Sequence, residues 1–444
     1  MREGLEVIMN SCEEFKGIRN KMKADGQDWA NHIARYCSCN AQIQAVLEFE
    51  ERLDIEKMKK AVRLSVDAEP VLGCSFVEDP EEAYWERLKD IDSVEWCMLE
   101  ETEDSADAVH KFITSTLEPE LYQLQVRIIR SHEKDTLCVK INHACCDGGG
   151  IKEYLQVLAD IYNHLCTDES YMPEVNNNCR GDTAKVYRKL GIADPRMAYN
   201  PQLAALKPNW VFPYNEGKPD KLKTAVRKIE KDQFNTISAY ARENGATIND
   251  MILTAFYRTM FDMLLPEALQ PMEIYVSVDL RRYLPQRKAA GICNLSGVVN
   301  ARVERKEGET FSATLRRVST VMNNLKRSNP GVHSAASMDL LRTMKYKDAA
   351  EALMKIRKRI EDSGKSSPIL SNIGGIAQYP FRFGGSTVTD AYIITPAMYS
   401  PSFMLGASTY HNNLTLCVSY YEPSIHMGDI EKFMDILQNQ LSSL

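Results

Sequence analysis

The chain has 444 residues, of which 44% are hydrophobic and 26% are charged, a composition that excludes a disordered chain and a small disulfide-rich protein. It carries 54 Lys and Arg against 61 Asp and Glu, and the net charge of -7 argues against nucleic acid as the main partner. The 12 cysteines and an opening segment without a charged-then-apolar leader predict reduced thiols and a cytoplasmic protein.

The first elements in chain order are a strand and a helix. Gln42–Phe49 predicts a strand, and Ile55–Ala68 predicts a helix that ends before Pro70. The acidic run over residues 78–107 is interpreted as a solvated face without a function. The strand-like segments Leu121–Ile129 and Thr136–Asn142 follow, and the polar turn between them predicts a hairpin.

The spacing of apolar residues then changes from strand to helix. Apolar side chains recur every three or four residues between Ile151 and Leu165, which predicts a core-facing amphipathic helix. Residues 167–221 are rich in proline and lack periodicity, as in a long crossover. We therefore expect an N-terminal subdomain over residues 1–170, a linker over 171–222 and a C-terminal subdomain over 223–444.

The second half again mixes strands and helices. Thr247 and Asp250 predict a capped helix start after the Gly245 stop signal. Residues 391–421 contain no Asp, Glu, Lys or Arg, but their prolines and asparagines argue against a membrane span and favour buried strands. The fold class predicted is α/β in the mixed α+β sense. The other predicted elements are a strand at Lys223–Ile229, strands at Ile274–Leu280, Gly297–Val303, Tyr392–Thr395, Ser402–Tyr410 and Leu414–Tyr420, helices at Phe311–Arg327, Ala335–Met344 and Asp348–Glu361, and a last helix from Gly428.

One segment combines groups that could carry chemistry. His143 follows a predicted strand, Asp147 comes four residues later, and Gly148, Gly149 and Gly150 lead into the predicted helix. On the residues alone, a catalytic histidine and a buried, hydrogen-bonded histidine beside a tight loop are equally good interpretations.

The same residues match a known signature. His143, Asp147 and Gly148 fit the HxxxDG motif, so that the chain resembles the CoA-dependent acyltransferase superfamily, which has the chloramphenicol acetyltransferase-like fold. The resemblance implies two similar subdomains, each a mixed sheet flanked by helices, with a tunnel between them and His143 near its middle. Further segments similar to family landmarks follow in the expected order: Gly245–Asp250, Val276–Arg281, Asn294–Asn300 and Ser371–Gly374.

The resemblance also implies roles for residues. His143 corresponds to the general base, which suits imidazole because its ordinary pKa lies near neutral pH. Asp147 is expected to organise the site by pairing with an arginine, Arg281 first and Arg282 second. Gly148 allows close approach of substrate or backbone. An oxyanion donor is needed in principle, and its candidates, each of which could equally satisfy a turn or a buried carbonyl, are Asn294, Ser296 and Asn372.

The activity that the resemblance implies is transfer of an acyl group from a thioester, with acyl-CoA as co-substrate, to an alcohol or amine. No permanently bound cofactor or metal is expected, and the partners are the small-molecule donor and acceptor. Two alternatives stay open: a stand-alone condensation-type protein that takes its thioester from an acyl carrier protein, and a non-catalytic acyl-binding or scaffold member. Asn142 stands where many members have a second histidine, and the plant-type DFGWG motif is absent, which favours the microbial alcohol-acetyltransferase and condensation-like branch.

Other chemistries fit the spacing less well. Cys145 and Cys146 adjoin His143, but nucleophilic Cys-His pairs normally come from separate elements. Zinc-binding CxxC or HExxH patterns are absent from the sequence, and the glycines fit neither GxGxxG nor a P-loop. A metal centre and a nucleotide site are therefore not expected.

Overall fold

The computed structural model describes residues 17–118, 122–177, 180–204 and 207–443. The opening segment, on which the expectation of a cytoplasmic protein partly rests, lies outside the described residues, as does Leu121 at the start of one predicted strand. Among the described helices, none combines the length and the apolar character needed to cross a membrane.

The described residues form strands that are numbered here in chain order. They are β1 Lys21–Lys23, β2 Gln42–Phe49, β3 Cys74–Val77, β4 Tyr84–Arg87, β5 Cys97–Glu101, β6 Leu124–Ser131, β7 Lys134–Asn142, β8 Lys221–Ile229, β9 Pro271–Asp279, β10 Ser296–Glu304, β11 Ile369–Gly375, β12 Arg382–Phe383, β13 Ser386–Ile394, β14 Met404–Tyr410 and β15 Asn413–Glu422.

The α-helices are numbered in the same way. They are α1 Gly26–Cys37, α2 Ile55–Ala68, α3 Ser105–Ile113, α4 Gly148–Thr167, α5 Asp182–Lys189, α6 Pro195–Ala198, α7 Pro201–Ala204, α8 Lys231–Glu243, α9 Ile248–Leu264, α10 Phe311–Lys326, α11 Val332–Asp339, α12 Tyr346–Ser363 and α13 Met427–Ser442.

Two six-stranded sheets organise the molecule. The N-terminal sheet has the order β12-β13-β2-β7-β6-β5, the C-terminal sheet has the order β10-β9-β11-β14-β15-β8, and a small sheet β1-β4-β3 lies beside them. Each large sheet is covered by helices, and each supports its own apolar core. We call these units the N-terminal and C-terminal lobes. The predicted mixed α/β class with two sheets flanked by helices is confirmed.

The division of the chain between the lobes differs from the predicted boundary at residue 223. Strands β12 and β13 follow most of the C-terminal lobe in sequence, yet β13 pairs with β2 in the N-terminal sheet. Phe383 and Val388 are buried in the N-terminal core, where the ring of Phe383 lies 5.6 Å from that of Phe49. β13 runs antiparallel to β2, from Val388 opposite Phe49 to Ile394 opposite Gln44, and its residues from Asp390 to Ile394 are buried. The C-terminal lobe is therefore not one continuous stretch.

Helix α4 is built and placed by its sequence. Asp147 caps its first turn, since the side chain accepts a hydrogen bond from the Gly150 backbone N–H at 2.8 Å. The apolar stripe predicted between Ile151 and Leu165 packs into the N-terminal core, where the Tyr154 hydroxyl lies 3.2 Å from that of Ser65 on α2. The helix that follows the motif is thereby fixed against the lobe that carries β7.

Two other interpretations need correction or completion. The acidic run over residues 78–107 is not only a solvated face, because β4, β5 and the start of α3 lie in it and Trp85 and Trp96 are buried in the core. The crossover is not irregular throughout, since it contains α5, and Val186 and Tyr187 of that helix pack on Leu280 and Leu295. Burial of these apolar side chains stabilises a helix within the proline-rich segment, where the sequence shows no clear periodicity.

Candidate active site

His143 lies at the end of β7, in the loop that leads to α4. Its backbone N–H donates to the Ala41 carbonyl at 2.7 Å, which ties the loop to the strand β2 side of the sheet. The residue is half-buried, and its Nδ1 is buried without a hydrogen-bond partner among the described residues. The imidazole therefore keeps an accessible surface.

The surroundings of the ring act on its charge. Burial lowers the pKa of His143 from its ordinary value of 6.5, and this effect outweighs the His143 backbone carbonyl, the Asp147 carboxylate and the Asn294 side chain, which act in the opposite direction. The imidazole is consequently neutral at pH 7. A neutral imidazole can accept a proton, as a general base must.

Asp147 and Arg281 form a buried ion pair between the lobes. The Arg281 Nη1 lies 2.9 Å from Oδ1 and 3.1 Å from Oδ2 of Asp147. The same carboxylate accepts hydrogen bonds from the backbone N–H groups of Gly150 and, at 2.8 Å, Leu295. Arg281 is thus the residue in contact with Asp147, whereas Arg282 is exposed and lies over the ring of Tyr283.

The ion pair is part of a larger network that keeps both groups charged. Arg281 also donates to Glu153 at 3.1 Å and to the Cys293 carbonyl at 3.0 Å. Burial acts to raise the pKa of Asp147, but the Arg281 charge and the backbone N–H groups of Gly150 and Leu295 hold it below its ordinary value. Both oxygens of the Asp147 carboxylate are therefore engaged by groups of the protein itself.

The glycines of the motif are required by close neighbours. A Cβ at Gly149 would overlap Arg281 Nη1, and one at Gly150 would lie 2.6 Å from the Cys146 Cβ. A Cβ at Gly148 would lie 3.0 Å from Ile373 on β11. The first turn of α4 therefore rests directly on the C-terminal lobe, and the close approach expected at Gly148 involves a side chain of that lobe.

The three oxyanion candidates lie in different settings. Asn294 Nδ2 donates to the carbonyls of His143 at 2.9 Å and Ala144 at 2.8 Å, so that both of its protons are already used to hold the His143 loop. Asn372 Nδ2 donates to Asn249 Oδ1 at 3.2 Å. Ser296 is half-buried, and its backbone N–H donates to Gln27 of α1 at 3.2 Å. Of the three side chains, the Ser296 hydroxyl is the one with no such commitment among the described residues.

A half-exposed sheet face extends from this point between the lobes. Along β10, Ser296, Val298 and Asn300 are half-buried while Gly297, Val299 and Ala301 are buried. Their partners on β9 are Tyr275 and Ser277, which are half-buried, and Asp279, which is exposed. Because side chains alternate across a sheet, one face packs on the C-terminal core and the other borders accessible space.

The strands open where this face meets β11. β9 and β11 pair only through Tyr275 and Val276 with Ile369 and Leu370, and then separate. Beyond the separation, Lys152 of α4 donates to the carbonyls of Ile373 at 3.1 Å and Gly375 at 3.3 Å. Lys152 is a site residue that sequence reasoning missed, since it stands at an ordinary polar position of an amphipathic helix and only the fold brings it to β11.

The adjacent cysteines do not form a reactive pair with His143. Cys145 and Cys146 are buried, and burial raises the pKa of both thiols well above 9.0. Thiolates are the nucleophilic form of cysteine, so these thiols are unreactive. In the part of the chain that the structure describes, no group of three His, Cys, Asp or Glu side chains is arranged to hold a metal ion.

Two family models match the chain. Residues 37–330 match the model described as Condensation domain, and residues 293–444 match the model described as WS/DGAT C-terminal domain. No curated protein matches the chain.

Solved structures share the fold across nearly the whole chain. Trichothecene 15-O-acetyltransferase TRI3 from Fusarium sporotrichioides is 12% identical, with 95% of each chain covered and a TM-score of 0.71. The first condensation domain of the CDA synthetase is 15% identical, with 95% of this chain and 96% of that one covered and a TM-score of 0.68. The starter condensation domain of rhizomide synthetase, solved with C8-CoA and Leu-SNAC, is 12% identical, with coverages of 95% and 94% and a TM-score of 0.67.

Proposed function

This chain belongs to the condensation-domain family, and on that basis we propose that it is an enzyme that transfers an acyl group from acyl-CoA to an alcohol or amine, with His143 as the general base. The observation that carries the proposal is the setting of His143: an imidazole with lowered pKa, partly accessible, at a loop fixed from both lobes. The two family models and the fold neighbours support acyl transfer in general.

In the proposed reaction, His143 removes the proton from the acceptor hydroxyl or amine as its oxygen or nitrogen attacks the thioester carbonyl. Since Nδ1 is buried, the ring edge that bears Nε2 is the one left for the acceptor. The C–S bond then breaks, and the imidazolium returns the proton to the departing thiolate. The acyl group moves directly between substrates, with no covalent enzyme intermediate, and His143 ends the cycle neutral.

Other residues are proposed to hold the base in position. The Asp147–Arg281 pair joins the start of α4 to the C-terminal lobe, and Asn294 holds the carbonyls of His143 and Ala144. Because displacements of about 1 Å can cost about 10²-fold in rate, this framework matters for turnover although it does not touch the substrate. For the oxyanion, the uncommitted Ser296 hydroxyl is the preferred candidate among the three.

The choice of acyl-CoA as donor is supported by a fold neighbour, the starter condensation domain of rhizomide synthetase, which was solved with C8-CoA. A second candidate donor is the thioester of an acyl carrier protein. It is favoured by the match of residues 37–330 to the Condensation domain model. A non-catalytic member that only binds acyl groups is the remaining alternative.

The test is thiol release from a panel of acyl-CoAs, with and without small alcohols and amines. We expect acceptor-dependent release, and we expect His143→Ala to lower kcat about 10²–10⁴-fold while the thermal unfolding midpoint stays close to that of the native protein. His110→Ala is the matched control, because His110 is an exposed histidine on α3 and its loss leaves the rate unchanged.

The outcomes separate the alternatives. Full turnover by His143→Ala shows that another group is the base. Turnover with an acyl-loaded carrier protein, but with none of the acyl-CoAs, supports the condensation-type alternative. Absence of turnover with both donors, together with measurable acyl-CoA binding, favours the non-catalytic member.

A further inference from the structure

The loop between β9 and β10 ends in a segment without helix or strand, residues 289–295. Most of this segment is buried, so that its backbone N–H groups need acceptors from elsewhere in the protein. It carries Asn294, whose side chain donates to the carbonyls of His143 and Ala144. We call it the Asn294 segment, and the position of the His143 loop depends on where it lies.

Two acceptors for the Asn294 segment come from elements that precede the C-terminal lobe in the chain. The Ala290 N–H donates to Asp182 Oδ2 of α5, in the crossover, at 2.7 Å. The Ile292 N–H donates to Oε2 of Glu69, the residue after α2, at 3.2 Å. Both carboxylates are buried, and burial raises the pKa of Glu69 to about 6, which still leaves it charged at pH 7. Hydrogen bonds to charged acceptors are stronger than those between neutral groups. We call Asp182 and Glu69 the support carboxylates.

The ion-pair network holds the same segment at other points. Glu153 accepts a hydrogen bond from the Ala289 N–H at 3.0 Å, and Arg281 donates to the Cys293 carbonyl at 3.0 Å. The support carboxylates bind the backbone between these two contacts. They therefore fix the part of the segment that leads up to Asn294.

The crossover contacts the His143 loop as well as the Asn294 segment. The Arg180 guanidinium donates to the Cys145 carbonyl at 3.3 Å. Asn176 Nδ2 donates to the Ala290 carbonyl at 2.8 Å and to Glu69 at 3.0 Å. The crossover thus connects the two backbone segments that meet at the Asn294 side chain.

We propose that Asp182 and Glu69 are positioning residues for the proposed base: they fix the Asn294 segment, and Asn294 in turn fixes the His143 loop. The inference rests on the proposed acyl transfer and extends it by making the crossover part of the catalytic framework. Because displacements of about 1 Å can cost about 10²-fold in rate, loss of one support is expected to slow turnover although neither carboxylate acts on the substrate.

The first experiment removes one hydrogen bond and then restores it. Asp182→Ala leaves the Ala290 N–H without its acceptor, and we expect kcat to fall about tenfold or more. Asp182→Asn keeps an oxygen for that N–H without the charge, so that it is expected to recover most of the rate. A native kcat in Asp182→Ala, or a kcat equally low in both variants, contradicts a role through this bond.

Asp135→Ala is the matched control. The Asp135 carboxylate is also buried, accepts a hydrogen bond from the Leu53 N–H at 2.7 Å and pairs with Arg130 at 2.9 Å, but it lies at the far end of β7. We expect this variant to lose stability in urea and to keep the native kcat. A loss of kcat equal to that of Asp182→Ala would mean that loss of stability alone explains both results.

A second measurement follows the His143 ring and needs no turnover. The Asn294 side chain is one of the groups that raise the pKa of His143, so that a displaced Asn294 lowers this pKa further. NMR titration of the imidazole, assigned with His143→Ala, is expected to give a lower pKa in Asp182→Ala and Glu69→Ala than in the native protein. The native pKa is expected in Asp182→Asn and in Asp135→Ala. A merely structural role of the support carboxylates would leave the pKa unchanged in every variant.

A double-mutant cycle tests the route through Asn294. Asn294→Ala releases the His143 loop directly, so that Asp182→Ala in this background is expected to cause little further loss of kcat. Losses that multiply would show that Asp182 does not act through Asn294 and would overturn the inference. If Asp182→Ala does not fold, Glu69→Ala takes its place in the cycle and in the titration.

The inference and the proposed function can fail separately. A native kcat together with an unchanged pKa of His143 in Asp182→Ala and Glu69→Ala overturns the inference even if the enzyme is active. If no donor is turned over but the pKa of His143 still falls in these variants, the proposed function alone is wrong, and the link from the crossover to His143 is supported.

Discussion

Two strand–loop–helix junctions in the molecule share the same secondary structure but differ in the burial and the contacts of their loops. At the first, β7 pairs with antiparallel β6 and is followed by a loop and the capped helix α4. At the second, β10 pairs with antiparallel β9 and is followed by a loop and the capped helix α10. The first loop is largely buried and contacts the other lobe, whereas the second, around Lys306 and Gly308, is largely exposed.

The difference lies in what each cap residue does. Asp147 caps α4 and also pairs with Arg281 across the lobes, while Thr310 caps α10 and has no bond outside its own lobe among the described contacts. A strand–loop–helix arrangement can thus serve as a simple connection, or it can be held in place by residues of both lobes. Function follows from the residues at the junction and cannot be inferred from its architecture.

The largest effect is expected from removing the charge at the first junction. Asp147→Asn keeps an oxygen for the Gly150 N–H but leaves Arg281 buried without its principal counter-charge, which costs about 3–5 kcal/mol. Urea unfolding monitored by circular dichroism measures the loss. Arg281→Met in the Asp147→Asn background is expected to restore part of the stability, and an Asp147→Asn protein as stable as the native one contradicts the role given to the pair.

Much of this fold could be predicted from local sequence. The strand Gln42–Phe49 and the helix Ile55–Ala68 have the predicted bounds, and the capped helix start at Thr247 and Asp250 is present. These features could be predicted because the spacing of apolar residues and helix capping depend on neighbouring residues in the sequence. The assignment of β13 to the N-terminal sheet could not be predicted, since strand pairing over more than 300 residues has no local signal. Sequence patterns predicted only the end of this strand, at Tyr392–Thr395, whereas β13 spans Ser386–Ile394, and they left its partner open.

A smaller effect is expected from a methyl group at each loop. Helix propensity alone would favour Gly149→Ala, but the new Cβ overlaps Arg281, so that we expect a loss of about 1–3 kcal/mol and lower activity. Gly308 has φ of +65° and open space around it, so that Gly308→Ala costs about 1 kcal/mol through backbone strain and leaves activity unchanged. Thermal unfolding with parallel rate assays checks both, and equal behaviour of the two variants would remove the distinction between the junctions.

The candidate site could be predicted in part as well. The resemblance placed His143, Asp147 and Arg281 in one region, and the contact between the last two is present. It could not identify Lys152, nor show that the Asn294 amide is occupied by the carbonyls of His143 and Ala144. Those facts depend on how the two lobes approach each other, which the spacing within one segment does not encode.

The pH dependence of activity tests the first junction alone, because the second contains no histidine. The proposed base works when neutral, so that kcat/KM rises as pH increases through the pKa of His143, and the lowered pKa places the midpoint of this rise below 6.5. Asp147 is one of the groups that raise the pKa of His143, so Asp147→Asn is expected to move the midpoint lower still. A midpoint above 6.5 in the native protein would contradict burial as the dominant effect on the ring.

The smallest effect is expected at the second junction. Thr310 accepts a hydrogen bond from the Ala313 N–H at 3.3 Å, and Thr310→Ala removes this cap at a cost of about 1 kcal/mol. Because no cross-lobe bond depends on Thr310, kcat, KM and the pH midpoint are expected to match those of the native protein. Unfolding in urea and a full kinetic profile check this. If Thr310→Ala lost as much activity as Asp147→Asn, the second loop would also act on the site. The ion pair would then not explain the difference between the buried and the exposed junction.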